Sequence, residues 1–145
     1  ILWQKNMKPY SIKKDYINSE ITFLRGRKRW ELMNSIGIRD LEKSIKLAKS
    51  IINSSESMVS MIFPLMTFFQ EILFFKMNDG TFIKPNGYIP LSPSIQNNLG
   101  DFSRYYRKYE IELAIRKLKE IEIKQKTSNI DDETEFISFL YNAIG

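Results

Sequence analysis

Two short runs in the sequence combine cations with aromatic rings, the residue types that hold a phosphate backbone and stack on bases. The first run covers residues 25–30 and the second covers residues 104–109. The candidate contact residues for nucleic acid or a partner are Arg25, Arg27, Lys28, Arg29, Arg104, Tyr105, Arg107 and Lys108. Such contacts would be independent of base sequence and sensitive to salt. Plainer interpretations stay open: the first run can be a connector with Trp30 in the core, and the second can pack Phe102, Tyr106 and Tyr109 inward.

The residue types that most reactions need are missing from the composition. The chain has no cysteine and no histidine, which excludes disulfides, Cys/His zinc sites, thiol nucleophiles and the commonest general base. No Gly-x-x-x-x-Gly-Lys-Ser/Thr sequence occurs, so a P-loop is not indicated. The pairs Asp131/Asp132 and Glu120/Glu122 fall at predicted helix starts or on polar faces. We therefore expect no catalytic residues, no metal site and no cofactor.

The positive charge of the chain is unevenly distributed. The net charge is +5, but residues 1–49 carry +7 and residues 50–145 carry −2. A basic third of the chain is compatible with nucleic acid or an acidic partner, but a lysine-rich solvated surface is the preferred interpretation from composition alone. The length of 145 residues and the hydrophobic content of 43% suit one domain with a substantial core.

The first half of the chain is predicted to form four helices. Ser11 caps a short helix, and a second short helix over 28–36 ends at Gly37, which we expect in the left-handed conformation. Asp40 then caps a helix that ends at Asn53. The fourth helix is the long apolar one described next.

The segment from Ser57 to Met77 is nearly all apolar and is predicted to be a long helix with Pro64 inside it. A helix that is apolar on most sides must be enclosed by other helices. The pair Gln70-Glu71 interrupts the apolar run before about 20 residues accumulate. We therefore expect this helix to lie at the centre of a helical bundle and not to span a membrane.

The second half begins with a predicted loop. Residues 81–93 contain three prolines, so no regular helix can run through them. A helix should follow as far as about Tyr106, with an inward row of Ile95, Leu99, Phe102 and Tyr106.

Two further helices complete the chain. The first runs from Tyr109 to Lys126, with Glu120 and Lys124 as an i,i+4 ion pair. The last begins near Asp132, which should form a capping box with Glu135. The predicted fold class is all-α: a compact bundle of about five to six helices around the central apolar helix.

The order of these helices resembles that of one known family. A helix reading Arg-Trp-Glu-Leu-Met-Asn-Ser-Ile-Gly and one reading Asp-Leu-Glu-Lys-Ser-Ile-Lys-Leu-Ala precede the central helix. The family's central apolar run matches at Leu65, Phe69 and Leu73, and an acidic residue four before a lysine matches at Glu120 and Lys124. Residues 28–145 thus resemble the C-terminal, or collar, domain of the delta subunit of the bacterial DNA polymerase III clamp loader.

The resemblance implies a non-catalytic subunit fragment. Residues 1–24 would end a preceding lid-like domain or form a linker, and residues 25–145 would be the collar-like domain of a longer cytoplasmic protein. The collar holds the loader together, so the implied partners are the ATPase subunits and delta-prime.

The full chain would then be a subunit of a DNA-directed DNA polymerase (nucleotidyltransferase) complex that loads the sliding clamp in DNA replication. Primed DNA is a partner of the whole complex, and the resemblance implies neither a membrane nor a small-molecule substrate. The alternative is a helical nucleic-acid-binding or regulatory module that uses residues 25–29 and 104–108.

Overall fold

Helices account for most of the described chain. The computed structural model describes residues 26–54 and 57–145, so the helix predicted from Ser11 and the predicted domain boundary lie outside the described residues. The helices are α1 (26–37), α2 (Leu41–Asn53), α3 (Val59–Met77), α4 (Pro93–Asn97), α5 (Leu99–Arg104), α6 (Lys108–Thr127) and α7 (Asp132–Ile144). The described ranges contain no strand. The predicted all-α class is confirmed, and residues 26–54 and 57–145 form seven helices where five or six were expected.

Helix α3 is the central helix, as predicted. It packs against α5 and α6, and α7 packs against both α2 and α6. Of its 19 residues, only Val59, Ser60, Phe63 and Met77 are exposed. By length and composition α3 is also apolar enough to cross a membrane. Because the surrounding helices cover most of its apolar side chains, enclosure in the bundle accounts for that composition.

Aromatic rings fill the space between α3 and its neighbours. The ring of Phe69 lies edge-on, with centroids 5.4 to 6.3 Å apart, to the rings of Phe68, Tyr106 and Phe139. The ring centroid of Phe68 in turn lies 5.5 Å from that of Phe102 on α5. The hydroxyl of buried Tyr106 donates to the carbonyl of Ile36 at the end of α1. This bond satisfies the only polar atom of that side chain and joins α1 to the core.

The turn between α1 and α2 differs from its predicted form. Gly37 is not left-handed; the residue with positive φ is Arg39, at 58°. Gly37 serves close packing instead, because a Cβ atom there would lie 2.4 Å from the ring of Phe102. The predicted cap of α2 is confirmed, since the Asp40 carboxylate accepts a hydrogen bond from the amide of Lys43.

The predicted loop is irregular and is fastened to α3. The hydroxyl of Tyr88 donates to the carbonyl of Thr67 at 3.1 Å, and the amide of Leu91 donates to Glu71 Oε1 at 2.7 Å. The helix predicted after it is split at Asn98 into α4 and α5. Its inward row is nevertheless confirmed, because all four of its members are buried: Ile95, Leu99, Phe102 and Tyr106.

Glu71 makes the stability of this attachment dependent on pH. Its side chain is fully buried, and its Oε2 atom has no hydrogen-bond partner among the described residues. Burial raises the pKa of Glu71, and the bond from the Leu91 amide offsets only part of that rise. Because the pKa is higher in the folded chain than in the unfolded one, the folded state loses stability as the pH rises between the two values.

We therefore expect Glu71→Gln, which removes the charge, to gain stability relative to the parent chain as the pH rises. Melting temperatures of both proteins at about pH 4 and about pH 8 measure this difference. The melting temperature of Glu71→Gln, relative to that of the parent chain, should be higher at about pH 8 than at about pH 4. An equal difference at both values would contradict the cost assigned to the buried carboxylate.

The start of α7 uses its acidic residues differently from the prediction. Asp131, not Asp132, is the cap, and its carboxylate accepts from the amide of Thr134 at 3.0 Å. Asp132 instead accepts from the amide of Met58 at 3.0 Å and from the Gln125 side chain at 3.3 Å. One carboxylate thus joins the start of α7 to the start of α3 and to the end of α6.

Candidate protein-contact surfaces

The first basic run lies on α1. Arg25 falls outside the described residues. Arg27 forms an ion pair with Glu31 at 3.2 Å, and Arg29 donates to the Ser60 hydroxyl of α3 at 3.2 Å. These two cations therefore hold contacts within the fold.

The connector expected at the first run is absent from the described residues. Gly26 is already helical, as is Lys28, so no turn forms at the glycine. Trp30, expected in the core, is 42% exposed, and its ring nitrogen donates to the Ser94 hydroxyl of α4 at 3.1 Å. The core side of α1 is instead formed by Leu32, Met33 and Ile36.

The second basic run lies at the junction of α5 and α6. Arg104 lies 3.6 Å from Asp101, and Lys108 lies 4.0 Å from Glu112. The backbone amide of Arg107 donates to the carboxylate of Glu110, forming the cap of α6. Both ion pairs are on exposed side chains, where such pairs contribute little to stability.

The tyrosines of this run divide between the core and the surface. Tyr106 is buried and Tyr105 is 50% exposed, as expected. Tyr109 was expected inward but is 61% exposed. The inward face of α6 passes through buried Ile111, and Tyr109 precedes Ile111 by two residues, or about 200° around the helix.

The fold does not bring the two basic runs together. Arg29 contacts Ser60 in the first turn of α3, whereas Lys108 lines a cavity with Lys76 and Met77 at the other end of the same helix. These positions on α3 are about 24 Å apart, at 1.5 Å per residue. The described residues of the two runs thus form two separate clusters, partly neutralised by neighbouring carboxylates.

We expect duplex DNA to bind this chain only weakly, because the two basic runs lie apart and neighbouring carboxylates partly neutralise each of them. Fluorescence anisotropy with labelled duplex should give a dissociation constant in the non-specific range of about 10⁻⁴ to 10⁻⁶ M near physiological salt. The affinity should fall steeply when the salt concentration is raised. Tight binding that persists at high salt would contradict this prediction and favour the nucleic-acid-binding alternative.

Arg39 organises the surface beside the second run. Its Nη1 atom donates to the carbonyl of Tyr105 at 2.9 Å and to Glu110 Oε2 at 2.8 Å, and its guanidinium lies 5.0 Å from the centroid of Tyr106. Partial burial would raise the pKa of Glu110, but hydrogen bonds from the Arg107 amide and from Arg39 outweigh it and lower that pKa. The half-buried ion pair therefore stays charged and fixes α6 against the turn after α1.

Four exposed apolar or aromatic residues adjoin this ion pair, either as sequence neighbours, through the hydrogen bond to the Tyr105 carbonyl, or as lining of the same cavity. They are Ile38, Tyr105, Tyr109 and Leu113, with exposures from 37% to 61%. We call these four residues the aromatic surface. A cavity of about 210 Å³ adjoins it, and its walls include Tyr109, Leu113, Asn142 and Ala143.

A second exposed apolar feature lies between α3 and α6. We call it the apolar groove; it has a volume of about 480 Å³ and is lined by Val59, Ile62, Phe63, Met66, Lys119, Glu122, Gln125 and Lys126. On its α6 side, the Glu122 carboxylate accepts from Lys119 at 3.0 Å and from Lys126 at 3.3 Å. These hydrogen bonds lower the pKa of Glu122. With two lysines and one carboxylate, that side of the groove carries a net charge of +1.

Lys124 on α6 forms its ion pair with a residue other than the expected Glu120. The ammonium of Lys124 lies 3.7 Å from the carboxylate of Glu135 on α7 and is not within 4 Å of the Glu120 carboxylate. The pair that matched the family pattern in sequence is therefore not formed, and Lys124 links two helices instead. Comparison of the chain with protein-family models, with curated proteins and with solved structures finds no match.

Proposed function

We propose that this domain has a non-catalytic role and acts by associating with other protein subunits through the aromatic surface. The observation that carries the proposal is the exposure of Tyr105, Tyr109 and Leu113 around the Arg39–Glu110 ion pair. Aromatic residues are enriched in the centres of protein interfaces. Because the ion pair fixes the backbone beneath them, little ordering would be needed on binding.

The partners proposed are those of a clamp-loader collar. The order of a short helix, an amphipathic helix, an enclosed central helix and two long final helices supports this form of the proposal. The domain would then hold the ATPase subunits and delta-prime of a bacterial DNA polymerase III clamp loader together in the cytoplasm. In that assembly it takes part in loading the sliding clamp and neither makes nor cleaves a bond itself.

Size-exclusion chromatography of the chain mixed with purified ATPase and delta-prime subunits tests the proposal. The expected result is one complex that contains this chain and elutes ahead of each component. Elution of this chain at its own volume, at concentrations of about 10 μM and above, would exclude any association strong enough to hold a collar together.

A further inference from the structure

The open side of α3 carries a row of residues with coiled-coil spacing. Six positions follow one another at alternating intervals of four and three, and all six are exposed or half-buried although most of the helix is enclosed. We call them the heptad row: Val59, Phe63, Met66, Gln70, Leu73 and Met77. Five of the six are apolar, and in a coiled coil such a row is buried against a second helix.

One cavity lies beside each end of the heptad row. The first is the apolar groove, which includes Val59 and Lys126, and the second has a volume of about 460 Å³ and is lined by Lys76, Met77 and Lys108. Helices α3 and α6 are therefore antiparallel neighbours. Val59 and Met77 are 18 positions apart, as are Lys108 and Lys126, and 18 positions make five full turns. Both cavities thus open on the same side of the helix pair.

Lysines flank the heptad row at both ends. Together the two cavities are lined by one carboxylate and four lysines, which gives a net charge of +3: Glu122, Lys76, Lys108, Lys119 and Lys126. Glu112, 4.0 Å from Lys108, offsets part of this charge. A positive surface of this kind attracts acidic side chains and repels a second copy of itself. A phosphate backbone would match the lysines but would leave the apolar row uncovered.

We propose that the heptad row and its two cavities bind an amphipathic helix of a partner protein, which carries an apolar row at i, i+3 and i+4 spacing with acidic residues along its edges. The heptad row is about 27 Å long, so the bound helix has about 18 residues. Its apolar side chains cover Phe63, which is 78% exposed, and Met77, which is 58% exposed. Neither cavity is lined by a residue of the aromatic surface, so this second surface is independent of the proposed function.

A synthetic peptide of three heptads serves as the probe, with leucine at the first and fourth positions of each heptad, glutamate on both sides of that row, and a fluorescein label. The glutamates also oppose pairing of the peptide with itself. One control peptide has the same composition with its leucines moved off that spacing, and another has lysine in place of glutamate. Fluorescence anisotropy measures the affinity of each peptide for the parent chain and for its variants.

The acidic peptide should bind the parent chain with a dissociation constant below about 100 μM, and both control peptides should bind at least about tenfold more weakly. Phe63→Ala should lower the affinity at least about tenfold, as loss of a central aromatic contact commonly does. Ile89→Ala, at a position 84% exposed in the loop after α3, should leave it unchanged. Lys119→Glu combined with Lys126→Glu should make the lysine peptide the tighter binder.

No binding of the acidic peptide at about 1 mM would overturn the proposal, including where another part of this chain covers the heptad row. Equal affinities of the three peptides, or of Phe63→Ala and the parent chain, would overturn it as well. A dimer of the parent chain that is lost in Phe63→Ala would also do so, because the occupant would then be a second copy. No partner subunit is present in these samples, so the outcome does not depend on the proposed function.

Discussion

Replacing Phe69 by alanine should destabilise the chain by about 3–5 kcal/mol, the cost usually measured when a buried phenylalanine is truncated. Phe69 is fully buried on α3, and its ring meets rings from α3 itself, from α7 and from the segment just before α6. Truncation therefore removes apolar burial and leaves a cavity that three elements would have to close. Urea unfolding followed by circular dichroism gives the free energy of unfolding.

A matched pair of isoleucines controls this experiment. Ile72 is fully buried on α3, whereas Ile89 is 84% exposed in the following loop. Ile72→Ala should cost about 2–5 kcal/mol, and Ile89→Ala should change stability by no more than about 0.5 kcal/mol. Similar costs at the two positions, or a Phe69→Ala variant as stable as the parent, would show that α3 is not the enclosed centre of the bundle.

Replacing Gly37 by alanine should also destabilise the chain, although alanine is the better helix former by about 1 kcal/mol. The added Cβ atom would lie 2.4 to 2.7 Å from three atoms of the Phe102 ring, which itself packs on Phe68. Overpacking of this kind typically costs about 1–3 kcal/mol. We expect a net loss of that order in the free energy of unfolding, measured by the same urea titration.

Gly26 provides the matched control for this substitution. It lies in the same helix, and a Cβ atom there meets nothing within 4 Å among the described residues. Gly26→Ala should therefore be neutral or stabilising by up to about 1 kcal/mol. Phe102→Leu, which shortens the clashing ring, should reduce the cost of Gly37→Ala, and the double-mutant cycle measures that coupling. Additive effects, or a Gly37→Ala variant that gains stability as Gly26→Ala does, would contradict the packing role of Gly37.

The sequence was sufficient to predict features that depend on short spacings. The apolar composition of Ser57 to Met77 predicted an enclosed central helix, and Asp40 was correctly identified as a cap. The i, i+3 and i+4 spacing around Phe102 and Tyr106 identified buried residues even though a break at Asn98 divides the predicted helix in two. The spacing of apolar residues indicates which face of a segment points inward, but it does not show where a helix is interrupted.

Features that depend on distant partners could not be predicted in this way. The positive φ fell on Arg39, and glycine is needed at position 37 instead because the ring of Phe102, far along the chain, leaves no room for a Cβ atom. Trp30 is exposed and donates a hydrogen bond to Ser94, which lies on another helix. No local pattern indicates either contact.

The centre of the candidate surface was missed for the same reason. Arg39 and Glu110 are 71 positions apart, and neither stands in a motif that suggests the other. Tyr105 was identified because it stands in a run of basic and aromatic residues. Tyr109 was placed inward because it continues the helical spacing of Phe102 and Tyr106, and the break between α5 and α6 interrupts that spacing. A composition signal thus located the surface, and only the tertiary structure showed which of its side chains are exposed.

Measuring the affinity of Tyr109→Ala and Ile89→Ala for the clamp-loader ATPase and delta-prime subunits tests the central claim most directly. Both residues are exposed, but only Tyr109 belongs to the aromatic surface. If that surface binds the partner subunits, Tyr109→Ala should weaken binding at least about tenfold, as truncation of an interface tyrosine commonly does, and Ile89→Ala should leave the affinity unchanged. Equal affinities of the two variants and the parent chain, or no binding by the parent chain, would contradict it.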